Sequence, residues 1–413
     1  MWRKWRFPGT CIEIRLTNRE RAAFIVTSEK PRSDFSDVRL VHIVRQYAPM
    51  IGGLEDFVKN MASRQIGRFR DVRVVTLDRL FTHPDQHLPQ HETIDGIDVV
   101  RVPYSGSSRY PFAPSVFQEI SDVDLIHVHA IDFFFDAFAL SSLVKKRRLI
   151  ATTHGGFFHT AKHSFLKKIW FNSVTRFSAS RYDAIACCSD SDFELFRPLA
   201  PGHTEMIENG VDLDKFAGAA SLRPQKRLLT LGRFSQNKRI DLVLDALVEL
   251  RSQDCDWKLD IVGGPSDWSV SDIQEMIQAR GLEGQAFVHV GLSDQGLRDL
   301  IGLCSFFVSA SEYEGFGIAM IEALSAGLLP IVQPNSAFQS LSEKHPSVRL
   351  VDFTDAAAVA GNVENAWSEL SVDPGRARQS AIVSAQQHSW DQTIARYDAL
   401  YGRALVPTSS SSS

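Results

Sequence analysis

The chain alternates short apolar runs with stretches whose apolar residues recur at helical spacing, and it does so twice. In the first half the runs cover 38–44, 72–77, 97–102, 125–128, 149–153 and 184–187. In the second half they cover 227–231, 259–262, 286–290, 306–309 and 329–332. Apolar runs of this length, separated by helical segments, read as parallel strands buried on both faces. The alternation predicts an α/β fold with two Rossmann-like, doubly wound domains facing a central cleft. A turn-rich junction near 208–225 separates the halves. A last helical stretch, 388–405, spaces Trp390, Ile394, Tyr397, Leu400 and Tyr401 along one face and reads as a closing helix. Spacing alone does not say which half it closes.

Length agrees with this division, because 413 residues exceed what one hydrophobic core usually organises. The boundaries read as a basic N-terminal extension over 1–36, one Rossmann-like domain over 37–210 and a second over 211–386. The closing helix then takes 387–405, and 406–413 form a disordered serine-rich tail. The net charge of −4 argues against nucleic acid as a partner and makes any anion site a local feature. Five scattered cysteines form no metal-binding or disulfide pattern, so a reducing cytoplasm fits best. No apolar run approaches the roughly 18 residues of a membrane span.

In open parallel sheets, ligands bind beyond the carboxyl ends of the strands. Four segments lie there. The first runs from Ser309 through Glu314-Gly315-Phe316-Gly317 to Glu322. A strand ends, a glycine-flanked turn follows, and a helix starts whose free N–H groups favour a diphosphate. Glu314 and Glu322 would repel phosphate, so they read as acceptors for hydroxyl groups, one on the sugar and the other on the ribose. The second segment carries Arg233 and Lys238 on a strand–loop–helix turn. Two cations so placed can grip one diphosphate and stabilise the charge that develops as it leaves. The third is the loop of Gly52 and Gly53, where the backbone can approach a ligand closely. The fourth is a pair of histidine loops, 125–129 and 152–156. On the first, His127 and His129 share a strand face; the second carries His154. Three Asp-x-Asp triplets begin at Asp122, Asp190 and Asp212, but with Arg233 and Lys238 to meet phosphate no metal is required.

These segments resemble the GT4 family of retaining GT-B glycosyltransferases over about 38–403. Glu314-Gly315-Phe316-Gly317 to Glu322 resembles its E-x7-E signature, which implies contact of Glu314 with the donor sugar and of Glu322 with the ribose. Arg233 and Lys238 match its G-R-x-x-x-x-K motif on the donor pyrophosphate, with Arg239 where the family usually has glycine. The 49–55 segment is similar to its P-x-x-G-G-x-E loop. The resemblance points to His129 as the histidine reaching the donor sugar, with His154 beside it, and 209–212 resembles the Asn-Gly-Val-Asp linker. Over the whole chain the similarity is greatest to exopolysaccharide α-mannosyltransferases of acetan and xanthan assembly, carried by 41–49 and 153–160. It implies GDP-mannose as donor and a cellobiosyl-diphosphopolyprenol acceptor. Alternatives are a UDP-hexose donor, a GT-B nucleotide-sugar epimerase, or a non-catalytic sensor or scaffold. A dehydrogenase is disfavoured, since 261–265 lacks the GxGxxG spacing.

The stretch 163–177 sets Phe165, Leu166, Ile169, Trp170, Val174 and Phe177 on one side, and Lys167 and Lys168 flank the other. With the basic run 145–148 it predicts peripheral docking on an anionic membrane, on the cytoplasmic face of the inner membrane.

Overall fold

A computed structural model describes residues 5–7, 10–12, 34–50, 52–108, 110–155 and 170–406. Most of the expected extension, the first part of the amphipathic stretch and the serine tail lie outside the described residues. The first lobe is built from β1 (Phe35–Ile43), α1 (Gly53–Gln65), β2 (Phe69–Leu77), β3 (His91–Ile94), β4 (Ile97–Val102), β5 (Leu125–His129) and α2 (Phe133–Ser141). It continues through β6 (Arg148–Thr152), β7 (Ala184–Cys187), α3 (Asp190–Phe196) and β8 (Thr204–Met206). The strands stand in the order β8-β7-β6-β5-β1-β2-β4-β3. All pairings are parallel except the β3–β4 hairpin at one edge. β1 starts at Phe35, so it takes in the last two residues of the expected extension.

The second lobe contains β9 (Arg227–Leu231), α4 (Ile240–Gln253), β10 (Lys258–Gly263), α5 (Val270–Ala279), β11 (Ala286–Val290), α6 (Asp294–Ile301) and β12 (Phe306–Ser309). After these come α7 (Ile318–Ala326), β13 (Leu329–Val332), α8 (Ser336–Lys344), β14 (Arg349–Leu350), α9 (Ala356–Val372) and α10 (Pro374–Ala385). Its strands run β11-β10-β9-β12-β13-β14, all parallel. In each sheet the strand order reverses beside the first strand, between β1 and β5 and between β9 and β12. Crevices at such reversals bind ligands.

The last helix, α11 (Trp390–Leu405), packs on the first lobe although it follows the second in sequence. Trp390, Ile394, Tyr397, Leu400 and Tyr401 join one buried cluster with β1, α1 and β2. Tyr397 and Tyr401 are fully buried, and an aromatic side chain so placed contributes on the order of 2 kcal/mol. Their hydroxyls reach the sheet, Tyr397 to Thr152 Oγ1 at 2.9 Å and Tyr401 to His127 Nδ1 at 2.8 Å. The chain therefore crosses between lobes twice, near 208–211 and near 386–390. The crossings lie side by side: Val211 N donates to His388 O at 2.8 Å. A Cβ at Gly210 would stand 2.4 Å from the Trp390 ring.

Candidate active site

Sheet order brings the loops after β9 and β12 together, although about 75 residues separate them in sequence. Asn237 ties them: its Nδ2 donates to Tyr313 O at 2.8 Å, and Tyr313 N donates back to its Oδ1 at 3.0 Å. Beside this tie, Lys238 Nζ lies 2.5 Å from Glu314 Oε1, both side chains about one-fifth exposed. Lys238 reaches Glu314 across Gly232, where a Cβ would stand 2.9 Å from Lys238 Cε. Arg239 has φ +47, the left-handed region where glycine is the usual occupant. That accounts for the family's preference at this position. Arg239 is held there by Asp241 and by Glu312 at 2.7 Å.

Gly317 caps α7 with φ +92, and a side chain there would press on Phe338 and Leu341 at 3.0–3.1 Å. Gly315, by contrast, has open space where a Cβ would be. The turn thus offers bare backbone at a helix start. A cleft pocket opens against Glu314, Gly315 and Phe316, and its other wall is Ser189, Asp190 and Glu208 of the first lobe. Asp190 also accepts a hydrogen bond from Ser340 across the cleft. Arg233 is exposed, and among the described residues nothing pairs with its guanidinium. Glu322 lies at the start of the second turn of α7; burial pushes its carboxyl up to about 7, against the pull of the Lys215 ammonium.

In the first lobe, Gly52 caps α1 and Gly53 opens it, at the reversal between β1 and β5. The histidines take a different arrangement from the one the strand pattern suggests. His127 and His129 do share a face, with ring centroids 4.0 Å apart. His129, however, is fully buried, and both of its nitrogens are used: Nε2 meets His42 Nδ1 at 2.9 Å and Nδ1 meets His154 Nε2 at 3.1 Å. In this placement the His129 ring has no exposed edge, and its Nδ1 is bonded to the ring of His154. His154 is only half-buried and lies two residues beyond the end of β6, with φ +56. Asp192 Oδ2 fixes that strained residue from both sides, accepting from Thr153 Oγ1 at 2.5 Å and from Gly155 N at 2.9 Å.

His42, Gln65 and Asp192 were not selected from sequence. His42 could have been: β1 and β5 run parallel with His42 opposite His127, and a histidine on each of two central strands signals a shared site. His42, His127 and His129 are near enough to hold an ion. Every ring nitrogen of the three already has a hydrogen-bond partner, which leaves an ion no lone pair without breaking the network. Of the Asp-x-Asp triplets, Asp124 accepts from Arg39 N, and Asp190 and Asp192 sit in the first turn of α3.

Two family models match nearly end to end. Glycosyltransferase Family 4 covers residues 51–215 and Glycosyl transferases group 1 covers 214–377. The GDP-mannose:cellobiosyl-diphosphopolyprenol alpha-mannosyltransferase of Xanthomonas campestris is 38% identical over 370 residues, 89% of this chain and 97% of that protein. The chain belongs to glycosyltransferase family 4. A protein of the same name from Komagataeibacter xylinus is 38% identical to this glycosyltransferase over 385 residues, 92% of this chain and 97% of that one. Among solved structures, a glycosyltransferase from Rickettsia africae superposes with a TM-score of 0.71 at 18% identity, over 91% of this chain and all of that one. Anabaena HepE in complex with UDP and glucose superposes at 0.64 and 18%, over 87% and 98%. These likenesses establish the GT-B fold, and the enzyme is a glycosyltransferase.

Proposed function

We propose that this glycosyltransferase moves mannose from GDP-mannose, with retention at the anomeric carbon, onto a cellobiosyl-diphosphopolyprenol acceptor in exopolysaccharide assembly. The relatives' names support the choice of donor and acceptor. The observation that carries the chemistry is the Lys238–Glu314 pair beside the open α7 turn, where a leaving-group cation and a sugar-binding carboxylate meet at the cleft.

In this reading Lys238, Arg233 and the α7 start take the diphosphate, and Glu314 exchanges its ion pair for a sugar hydroxyl. Glu322 takes the ribose. As the C1–O bond to GDP breaks, the acceptor oxygen bonds to C1 from the same face. Its proton passes to the departing phosphate. Charge on that phosphate grows along the way, so fixed cations hold the transition state more tightly than the ground state. Since protein groups meet the phosphate charge, turnover is expected to persist in chelator. The test is transfer of radiolabelled mannose from GDP-mannose to a lipid-linked cellobiose, with EDTA present. Transfer from UDP-glucose instead would overturn the donor assignment, and conversion of the donor without an acceptor would make the protein an epimerase.

A lipid-linked acceptor places the reaction at a membrane surface. Among the described residues no helix is long and apolar enough to cross a membrane. The first lobe does expose Phe112, Leu140, Leu143, Val144, Trp170 and Phe177 on one side, with Lys145, Lys146 and Arg176 exposed beside them. Apolar groups rimmed by cations suit an anionic bilayer. This face is proposed to dock on the cytoplasmic leaflet of the inner membrane. The protein should sediment with anionic vesicles at low salt, and Leu143→Asp with Val144→Asp should release most of it. Wild type remaining in the supernatant would count against docking.

A further inference from the structure

Four side chains of the first lobe, all buried but the half-buried His154, stand in line behind the cleft. Gln65 Oε1 lies 2.7 Å from His42 Nε2, His42 Nδ1 lies 2.9 Å from His129 Nε2, and His129 Nδ1 lies 3.1 Å from His154 Nε2. Burial holds His42 down at about 4, His154 at about 3 and His129 well below its usual value, so all three rings are neutral. A neutral imidazole donates through one nitrogen and accepts through the other. The direction of the row is therefore set at its far end.

Gln65 sets it. Its amide oxygen can only accept, so His42 carries its proton on Nε2 and accepts on Nδ1. His129 then donates from Nε2 and accepts on Nδ1. His154 in turn donates from Nε2, which leaves a bare lone pair on Nδ1. The other end of the Gln65 amide is also bonded. Its Nε2 donates to Tyr401 OH at 3.4 Å, and that hydroxyl also lies 2.8 Å from His127 Nδ1 and 3.7 Å from Met61 Sδ. His127 Nε2 is paired with Thr152 Oγ1 at 2.8 Å, and the threonine hydroxyl with Tyr397 OH at 2.9 Å.

We propose that Gln65, acting through His42 and His129, fixes His154 as the Nε2–H tautomer, so that Nδ1 accepts a hydrogen bond from a substrate hydroxyl at the cleft. Among the described residues no group pairs with His154 Nδ1. The ring is held on the remaining sides, by Phe57 edgewise at 4.7 Å and by Asp192 through the backbone. A row so arranged gives the enzyme a lone pair at fixed height above the first lobe without introducing charge. Gln65, His42 and His129 are then positioning residues, and His154 is the member that touches substrate. The role in transfer rests on the proposed reaction, whereas the tautomer does not depend on which donor is used.

Nitrogen-15 spectra of the wild-type protein, with His154→Ala to assign the ring, should show His154 protonated on Nε2. Protonation on Nδ1 would overturn the assignment whatever the enzyme transfers. With the donor that is turned over, Gln65→Leu should lower kcat by about tenfold, leave the donor KM nearly unchanged and mix the His154 tautomers. His154→Ala should lose at least as much. The double variant should match His154→Ala alone, because Gln65 acts only through that ring. Losses that multiply would show Gln65 acting independently, and a fully active His154→Ala would remove His154 from the reaction even if its tautomer is as stated.

Discussion

Lys238→Ala should lower kcat by about 10²- to 10³-fold, the usual effect of removing one fixed group that stabilises developing charge. The structure makes this the most damaging single truncation in the cleft. Lys238 is bonded to Glu314 at 2.5 Å, so the variant loses a cation and leaves a carboxylate beside the departing phosphate. Lysine is also the side chain that the slot over Gly232 admits. The donor KM should rise much less than kcat falls, because the phosphate gains charge only as the bond breaks. Steady-state kinetics on a variant with unchanged melting temperature provide the check. Turnover within about threefold of wild type would remove Lys238 from the leaving-group site.

Gly263→Ala is expected to have the largest effect on stability. A Cβ there would stand 1.8 Å from Gly232 O and 3.0 Å from the Phe234 ring. Neither segment can withdraw easily, since Gly232 N donates to Val262 O and Phe234 N to Gly264 O on either side of the clash. Forcing them apart should cost more than about 3 kcal/mol, a large part of a typical domain's stability. Gly264→Ala serves as the control, with nothing within 4 Å of its added Cβ. Thermal melting should show Gly264→Ala near wild type and Gly263→Ala far below it. Equal melting temperatures would mean that the two loops are not locked as described.

The central strands were legible because both of their faces are buried and their residues form unbroken apolar runs. The edge strands β3, β8 and β14 were missed for the converse reason: they are short and partly exposed, and β3 alternates exposed with half-buried positions. Of the candidate site, the loops that bring Lys238 to Glu314 were legible, because glycines and a helix start mark them. The acceptor half was less so. Period-two alternation places His129 on a face but says nothing of depth, and depth here is decided by α11 and by His154. The left-handed backbone of Arg239 was equally hidden, since its supports at Asp241 and Glu312 meet it only in the folded chain. The Asp192 clamp was concealed as well: it reads as an ordinary first-turn acid until β6 and β7 bring Thr153 and Gly155 against it.

The return of the final helix to the first lobe means that sequence order and mechanical units do not coincide. The first lobe is assembled from both ends of the chain, around a second lobe that is one continuous segment. Recombining this enzyme with a relative at a single breakpoint near residue 210 would give the acceptor half a foreign helix, whose tyrosines must still complete the hydrogen bonds of His127 and Thr152. An exchange of specificities that respects the architecture carries two breakpoints and moves the last helix together with the lobe it covers.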